Sequence, residues 1–449
     1  MNRTMVSSAA ATAAQELKRK IEDKSLVLGV LGLGYVGLPL ALAFSEKSFA
    51  VVGFDVDPSK VEALRAGRSY IKHLEGSRLS SATTAGLFRP TSDFDELSGP
   101  DVLLICVPTP LTPQREPEMS FIVDTAREIR ARLRRGQLVV LESTTYPGTT
   151  DELVRGILEE SGLKCGEDFF LAFSPEREDP GNARFATATI PKVVGGVDPL
   201  SGDLAQAVYD QAISRTVRVS SSRAAEATKL VENIFRAVNI ALVNELKMVF
   251  DKMGIDVWEV LDAASTKPFG FMRFNPGPGL GGHCIPLDPF YLAWKAREFG
   301  VTAKFIELAG EVNVQMPHYV IEKLQNALND RGKAVKGSSV LVLGLAYKKD
   351  VDDARESPAF EIIDALIRRG ADVTYHDPHV PALPRTRAWP NLAAMSSKTL
   401  TPECIAQQDA VVIVTDHSAV DYEMILKHAP IVVDSRGVYR QPAPNVVKA

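Results

Sequence analysis

Cysteine is scarce in this sequence, and its four copies lie far apart along the 449 residues. They are Cys106, Cys165, Cys284 and Cys404, and no two of them form a CxxC pair. Such spacing is typical neither of a disulfide framework nor of a zinc site. We therefore expect free thiols and no metal centre.

Long apolar runs and an excess of basic residues are missing as well. No run approaches the roughly 18 apolar residues that a membrane helix requires. Residues 1–14 are rich in Ala, Ser and Thr, without the bulky apolar centre of a signal peptide. The net charge of −5 provides no basic surface for nucleic acid or anionic lipid. These absences predict a cytoplasmic protein with no membrane or nucleic-acid partner.

The remaining composition is that of an ordinary globular chain, 45% hydrophobic and 24% charged. Its length predicts two or three domains. Strand and helix patterns alternate, which indicates an α/β fold with two Rossmann-like, doubly wound parallel sheets joined by a central helical domain. The predicted boundaries are residues 1–24 for an N-terminal extension, 25–215 and 319–449 for the two sheet domains, and 216–318 for the helical domain.

A dinucleotide-binding pattern opens the first sheet domain. A short apolar strand runs into Gly32, Gly34 and Gly37 of a GxGxxG turn, a helix follows, and the next strand ends in Asp55. The glycines let the backbone approach a pyrophosphate at the helix N-terminus, and the acid binds ribose hydroxyls. The charge of Asp55 would repel a 2′-phosphate, so the pattern predicts NAD rather than NADP. A glycine turn that only packs a helix on the sheet is the alternative.

Polar residues follow three later strands of this domain. Ligands of parallel sheets lie beyond the carboxyl ends of the strands, so these residues are expected around the nicotinamide. Ordinary turn chemistry is the alternative, and it fits Pro108 better than Thr145 or Glu176. The strands at 101–107, 138–141 and 169–173 are followed by Pro108 and Thr109, by Thr145, and by Glu176 and Arg177.

Residues 222–253 have the periodicity of one long helix, which we name the spine helix. Its length predicts a connection between domains and a dimer surface. Its second stripe, which is polar, either faces solvent or projects toward the cysteine loop described next. The predicted apolar stripe is Ala225, Leu230, Ile234, Val238, Leu242, Leu246 and Val249, and the polar stripe is Lys229, Asn233, Asn239, Asn244 and Glu245.

Residues 276–289, PGPGLGGHCIPLDP, carry one cysteine on a glycine-rich loop, the cysteine loop. A helix predicted at 286–299 would place Cys284 just before its N-terminus, where the partial positive charge favours a thiolate. Asp288 follows four residues later, on the same face of a turn. This arrangement predicts covalent catalysis on a small substrate. An inert cysteine in a structural turn is the alternative.

A second α/β pattern begins after Gly337. Strands are predicted at 340–344, 372–375, 410–414 and 431–433, with a helix at 357–369. The first turn keeps a single glycine, Gly344, so the dinucleotide pattern is degenerate. We expect this domain to bind a nucleotide without being a second NAD site.

Taken together, these motifs resemble the UDP-glucose/GDP-mannose dehydrogenase family over nearly the whole chain after residue 25. The matching segments are GLGYVGLPLA, FDVD, CVPTP, ESTTYPGTT, SPEREDPG, KLVENIFRAVN, PGPGLGGHCIPLDP, AYKKDVDDARESP and DSRGVY.

The resemblance implies an NAD cofactor, a UDP-sugar substrate and at least a homodimer. It implies Cys284, Asp288, Lys229 and Asn233 as a catalytic quartet, assisted by Thr145 and Glu176. The NAD contacts that follow from the fingerprint and the resemblance are Gly32, Gly34, Tyr35, Val36, Gly37, Asp55, Lys60, Pro108, Thr109, Thr145 and Arg355. The UDP-sugar contacts are Glu176, Arg177, Lys229, Asn233, Gly281, His283, Tyr347 and Lys348.

The reaction implied is a four-electron oxidation of a primary alcohol to a carboxylate with two NAD in turn, through a thiohemiacetal and a thioester on Cys284. Relatives that oxidise UDP-glucose carry a second glutamate four residues after the first, where this chain has Pro180. The GGHCIPLDP form resembles the branch that acts on N-acetylated sugars, which favours UDP-N-acetylglucosamine over UDP-N-acetylmannosamine or UDP-glucose. A two-electron dehydrogenase of the 3-hydroxyacid type and a silent nucleotide-sugar sensor are the other readings.

Overall fold

The computed structural model describes residues 8–71, 74–112, 114, 116–177, 188–282, 285, 287–383, 389, 392 and 395–449. Pro180, His283 and Cys284 therefore lie outside the described residues. The chain divides into two units, one of Met1–Glu232 with Phe290–Val301 and the other of Asn233–Pro289 with Thr302–Ala449. The division falls within the spine helix, which spans Ser222–Met253 as predicted.

An eight-stranded sheet forms the first unit, and its strand order is β3-β2-β1-β4-β5-β6-β7-β8. All neighbours are parallel except β6 and β7. The central strands are buried on both faces, which explains their continuous apolar runs. The strands are β1 (Val27–Leu31), β2 (Ala50–Phe54), β3 (Phe88–Thr91), β4 (Val102–Ile105), β5 (Leu138–Leu141), β6 (Phe170–Phe173), β7 (Lys192–Gly196) and β8 (Thr216–Arg218).

Helices cover the faces of this sheet. They are α1 (Ser8–Glu22), α2 (Gly37–Ser45), α3 (Pro58–Arg65), α4 (Gly76–Thr84), α5 (Ser120–Arg132), α6 (Arg155–Glu159) and α7 (Pro199–Tyr209). The sequence predicts a short polar helix at residues 15–23, and the structure has a helix there that begins earlier, at Ser8, and has an apolar face. Leu17 and Ile21 are buried in the first unit's core, and Lys20 pairs with Asp101 at 2.8 Å. The described part of the extension is therefore mostly an amphipathic helix that packs on the first unit.

A five-stranded parallel sheet forms the second unit, in the order β10-β9-β11-β12-β13. The strands are β9 (Ser339–Leu343), β10 (Asp372–His376), β11 (Ala410–Ile413), β12 (Val432–Asp434) and β13 (Val446–Lys448). The later helices of the chain are α8 (the spine helix), α9 (Val257–Ala264), α10 (Asp288–Glu298), α11 (Lys304–Asn329), α12 (Pro358–Arg368), α13 (Pro402–Ala406) and α14 (Tyr422–His428).

The two predicted stripes of α8 are partly exchanged in the structure. Leu242 and Val249 of the apolar stripe are 51% and 47% exposed, whereas Lys229, Asn233 and Asn244 of the polar stripe are buried. Asn239 is half-buried and Glu245 is exposed. Hydrogen bonds to loops, described below, offset the desolvation of the buried polar groups. The polar face of α8 is therefore its inner face.

Candidate active site

The GxGxxG turn between β1 and α2 has the geometry of a phosphate cradle. Gly32 has φ +95°, and a Cβ there would lie 2.6 Å from the carbonyl oxygen of Cys106. At Gly37 a Cβ would lie 1.9 Å from the Gly32 carbonyl oxygen, whereas no atom lies within 4 Å of one at Gly34. Tyr35 and Val36 complete the turn, and no side chain caps α2. The space at Gly34 and the uncapped helix fit a bound pyrophosphate.

Asp55 lies buried at the end of β2, next to this turn. Its two carboxylate oxygens accept hydrogen bonds from the N–H groups of Leu33 and Asp57, both at 3.0 Å, and Lys60 Nζ lies 3.4 Å away. Because Leu33 and Lys60 share Oδ2, the other oxygen, Oδ1, keeps a further lone pair with which it can accept a ribose hydroxyl. The residues present therefore fit the adenosine end of NAD.

The strand ends predicted around the nicotinamide are held in place by groups that the sequence did not reveal. Tyr291 on α10 donates its hydroxyl hydrogen to the carbonyl oxygen of Thr109, at 2.9 Å. The Thr145 and Thr149 hydroxyls are hydrogen-bonded at 2.6 Å. Pro108, which precedes Thr109 in the chain, is exposed. The position of Tyr291 was hidden because its partner lies 182 residues away.

Glu226 on α8 fixes the segment that follows Thr145. Its carboxylate accepts hydrogen bonds from the N–H groups of Gly148 and Thr150, each at 2.8 Å, and from the Thr150 hydroxyl at 2.6 Å. Burial raises the pKa of Glu226 to about 7. Its spacing of three residues from Lys229 was the available sequence signal, because such residues share a helix face.

Glu176, Arg177 and Lys229 lie together in the first unit. Lys229 Nζ donates a hydrogen bond to the backbone carbonyl of Glu176 at 2.5 Å. The Arg177 guanidinium is held by the Glu232 carboxylate and by the Pro191 carbonyl oxygen, at 2.5 and 2.6 Å. Two side chains of α8 that lie about one turn apart, Lys229 and Glu232, thus hold the segment after β6 by hydrogen bonds.

A buried ion pair supports the same segment from inside the sheet. Lys192 Nζ lies 2.6 Å from the Glu142 carboxylate and donates to the Pro175 carbonyl oxygen at 3.3 Å. The Tyr209 hydroxyl donates to the other oxygen of Glu142. Burial raises the pKa of Glu142, and the attraction of Lys192 opposes that shift. Sequence reasoning missed this network because its members lie on separate strands and helices.

In the second unit, Asn233 donates a side-chain hydrogen bond to the Asp288 carboxylate. The two side chains are only 7% and 3% exposed. Two members of the predicted quartet are therefore in contact, and Lys229 lies one helical turn from Asn233 along α8. A buried carboxylate paired with an amide is suited to accept a proton from a substrate hydroxyl.

The helix after the cysteine loop begins later than predicted. It spans Asp288–Glu298 rather than 286–299, so Asp288 is its first residue. Pro289 lies in the first turn, where a missing N–H is tolerated, while Ile285 and Leu287 are in turns. Cys284 thus precedes the helix by four residues rather than two.

The glycines of the cysteine loop pack against the segment after β9. A Cβ at Gly281 would lie 2.6 Å from the Tyr347 Cβ, and the Gly282 N–H donates to the Arg355 carbonyl oxygen at 3.2 Å. At the other end of the loop, the Gly277 N–H donates to the Asn244 side chain at 2.9 Å. One amide of the polar stripe therefore projects toward the cysteine loop, as predicted, and Gly281 and Tyr347 are neighbours.

Three cationic residues of the second unit differ in their surroundings. Arg355 is exposed and paired with Asp353 at 2.6 Å, and Lys348 is half-buried. Arg436, which sequence reasoning missed, would lie 2.7 Å from a Cβ at Gly277, and its Nε donates to the Val414 carbonyl oxygen at 2.7 Å. Burial lowers the pKa of the Arg436 guanidinium. A half-buried cation beside the glycine loop is suited to an anionic ligand.

Three of the four cysteines lie within the described residues. Cys106, Cys165 and Cys404 are free thiols, as predicted. None of the helices in that part of the chain has the length and apolar character to cross a membrane.

The UDP-glucose/GDP-mannose dehydrogenase family models match most of the chain. The NAD binding domain matches residues 26–213, the central domain residues 223–315 and the UDP binding domain residues 341–441.

Among curated relatives, the UDP-N-acetyl-D-glucosamine 6-dehydrogenase of Pseudomonas aeruginosa is 38% identical over 80% of this chain and 84% of its own. The solved UDP-D-ManNAc dehydrogenase of Pyrococcus horikoshii is 32% identical, covers 94% of this chain and 98% of its own, and has a TM-score of 0.85. A solved UDP-glucose dehydrogenase of Pyrobaculum islandicum is 32% identical, covers 94% of this chain and 96% of its own, and has a TM-score of 0.80.

The glycine cradle with Asp55, the polar inner face of α8 and the three matching domains lead to one conclusion. The chain belongs to the UDP-glucose/GDP-mannose dehydrogenase family and is an NAD-dependent UDP-sugar dehydrogenase.

Proposed function

We propose that the protein oxidises the 6-hydroxyl of UDP-N-acetylglucosamine to the carboxylate, consuming two NAD and supplying a uronic acid for surface polysaccharide. The observation that carries this proposal is the buried hydrogen bond between Asn233 and Asp288, one helical turn from Lys229. These are three of the four residues that the family resemblance implies for catalysis. The fourth, Cys284, lies four residues before Asp288 in the sequence.

Residues of the first unit would hold the cofactor. Gly32, Gly34 and Gly37 form the pyrophosphate cradle, and Asp55 accepts the ribose hydroxyls. Bound NAD accepts hydride from the carbon that is oxidised. Thr109 and Thr145 stand at the strand ends where the reacting ring belongs in such sheets.

In the first oxidation, the chain must remove the proton of the 6-hydroxyl. Asp288 takes this proton through an ordered water, and Asn233 holds the carboxylate in place. Lys229, whose ammonium group is fixed by the Glu176 carbonyl, stabilises the developing negative charge on the alkoxide oxygen. The product is an aldehyde.

The second oxidation requires a nucleophile, and Cys284 is the residue proposed for it. Its thiolate attacks the aldehyde carbon to give a thiohemiacetal, which is oxidised to a thioester. Water, positioned by Asp288 or Glu176, then cleaves the thioester and returns the thiol. The sum is one alcohol, two NAD⁺ and one water giving one carboxylate, two NADH and three protons.

The substrate contacts in the proposal are those that the family resemblance implies, with Arg436 added. Gly281, Tyr347 and Lys348 contact the nucleotide, together with His283, and Arg436 supplies positive charge for the diphosphate. Glu176 and Arg177 contact the sugar. Arg355, predicted at the NAD phosphates, would have to leave Asp353 to bind there.

The choice of N-acetylglucosamine rests on the GGHCIPLDP form, on Pro180 and on the 38% identical relative from Pseudomonas aeruginosa. UDP-N-acetylmannosamine is the second candidate, because the relative from Pyrococcus horikoshii bears that activity in its name. NAD and nucleotide sugars are cytoplasmic metabolites, so the proposed reaction belongs in the cytoplasm.

An exposed apolar stripe on α8 supports a homodimer or a larger homo-oligomer. Phe235, Leu242, Val249 and Met253 follow one another at helical spacing, and each is 47% exposed or more. A contiguous exposed apolar stripe is typical of an interaction surface. A second copy of the same helix would cover it.

The reaction is tested by supplying NAD and a panel of UDP-sugars and counting NADH against sugar consumed. We expect UDP-N-acetylglucosamine to be the best substrate, with two NADH for each sugar. A count of one would support the 3-hydroxyacid type of dehydrogenase, and no turnover on any sugar would support a sensor. A better rate with UDP-N-acetylmannosamine or UDP-glucose would overturn the substrate alone.

Cofactor choice is tested with Asp55→Asn, which keeps an acceptor for the Leu33 N–H but removes the charge. Because the charge repels a 2′-phosphate, we expect the ratio of kcat/KM for NAD to that for NADP to fall by about tenfold, which is about 1.4 kcal/mol. Asp57→Asn is the matched control, since it removes a charge two residues away. Equal efficiency of the unmodified enzyme with both cofactors would contradict the assignment.

Assembly is tested with Leu242→Asp, which places a charge in the exposed stripe. Light scattering at micromolar concentration should show a dimer or larger species for the unmodified protein and a smaller species for the variant. Arg236→Asp, at an exposed polar position of the same helix, should leave the mass unchanged. A monomeric unmodified protein would remove the proposal.

A further inference from the structure

Two histidines and an aspartate meet at the carboxyl edge of the second sheet. Asp350 follows β9, His379 follows β10 and His417 follows β11, and their ligand atoms all lie within 4.8 Å of one another. Asp350 Oδ1 is 3.8 Å from His379 Nε2 and 3.8 Å from His417 Nδ1. None of these residues takes part in the proposed oxidation.

The cluster lies where a doubly wound sheet binds ligands. β9 has β10 on one side and β11 on the other, so the strand order reverses there. Asp377 is the acid that follows β10. Its carboxylate accepts hydrogen bonds from the N–H groups of Leu345 and Ala346, at 2.7 and 2.8 Å. The carboxylate is thus bound within the protein.

His417 has the support that metal-binding histidines have. It is fully buried, and its Nε2 donates to the Asp377 carboxylate at 3.0 Å. The Asp350 N–H donates to Nδ1 at 3.0 Å, so Nδ1 is the ring nitrogen that carries the lone pair, and this lone pair faces the backbone of a cluster residue. A carboxylate behind an imidazole fixes its tautomer and raises the basicity of the other nitrogen.

The other two residues, His379 and Asp350, are also suited to bind a cation. Within the described part of the chain, the solvent-shielded Nε2 of His379 has no hydrogen-bond partner, which is rare for a buried polar atom. Asp350 has φ +59°, uncommon for a residue other than glycine, and Ser418 donates to its carboxylate from both N–H and hydroxyl at 2.7 Å. Burial would raise the pKa of Asp350, but the hydrogen bonds from Ser418 outweigh it and lower that pKa.

We propose that Asp350, His379 and His417 bind a divalent transition-metal ion of the Zn²⁺ class. Two imidazole nitrogens and one carboxylate suit such an ion rather than Mg²⁺ or Ca²⁺, and they leave a coordination position open. A pocket of about 420 Å³ beside His417, lined also by Lys349, Asp416 and Tyr422, gives access and room for a further ligand.

Binding requires a small rearrangement of the cluster. Donor atoms around tetrahedral Zn²⁺ lie about 3.3 Å apart, so the two 3.8 Å separations must shorten by about half an ångström. The two histidine nitrogens, which lie within 4.8 Å of each other, must reach the same spacing. The Asp350 N–H must also release His417 Nδ1. Asp350 is three residues from Tyr347, so an occupied site would act on the segment that carries the proposed nucleotide contacts.

Titration with Co²⁺, whose visible absorption reports its coordination, tests the site. Untagged, EDTA-stripped full-length Cys284→Ala protein is used, because the Cys284 thiol is itself a ligand for soft metals. We expect saturation at one Co²⁺ per chain in a four- or five-coordinate spectrum. His379→Ala should weaken binding by more than about tenfold, whereas His428→Ala, at a half-buried histidine on α14 outside the cluster, should not.

Asp350→Asn is the second variant, because asparagine tolerates the positive φ and keeps an acceptor for Ser418. It should weaken Co²⁺ binding while the melting temperature of the metal-free protein stays unchanged. Absence of saturable binding in the parent protein would overturn the proposal. Equal affinity for Co²⁺ in the parent protein and in the His379→Ala and Asp350→Asn variants would overturn it as well.

Discussion

Polar side chains buried on one face of α8 constrain the loops around the candidate active site. A buried polar group without a hydrogen bond costs about 1–3 kcal/mol, so each of these side chains must bind a partner. Glu226 binds the loop after β5, Lys229 the segment after β6, Asn233 the start of α10 and Asn244 the cysteine loop. Within each unit, the buried polar side chains of α8 thereby hold two of these segments in place.

Sequence reasoning predicted the elements better than their contacts. The spine helix and β5 have the predicted bounds, because long periodicity and buried apolar runs are local signals. The sequence left open whether the polar stripe of α8 faces solvent, because periodicity separates apolar from polar residues but does not show which polar residues find partners. Tyr291 was missed for the same reason, since its hydroxyl is placed by a carbonyl 182 residues away in the chain.

The two sheets use the same acidic position in different ways. Asp55, after β2, accepts the N–H of Leu33 and keeps acceptor capacity for a ribose. The Asp377 carboxylate, after β10, accepts hydrogen bonds from the N–H groups of Leu345 and Ala346 and from the ring of His417. The degenerate glycine pattern indicated that the second sheet is not another NAD site, and this occupied carboxylate gives a physical reason. The histidine cluster beside it had no sequence signal, because its members are 29 and 38 residues apart.

In the proposed reaction, a covalent thioester on Cys284 separates this enzyme from simple alcohol dehydrogenases. Serine at this position can form a hemiacetal, but the resulting ester is cleaved less readily than a thioester. Intact-protein mass spectrometry of Cys284→Ser after incubation with UDP-N-acetylglucosamine and NAD should therefore reveal a sugar adduct on the peptide around residue 284, and Cys284→Ala should bind NAD but form no uronic acid. Formation of the uronic acid by Cys284→Ala at the rate of the unmodified enzyme would contradict the account.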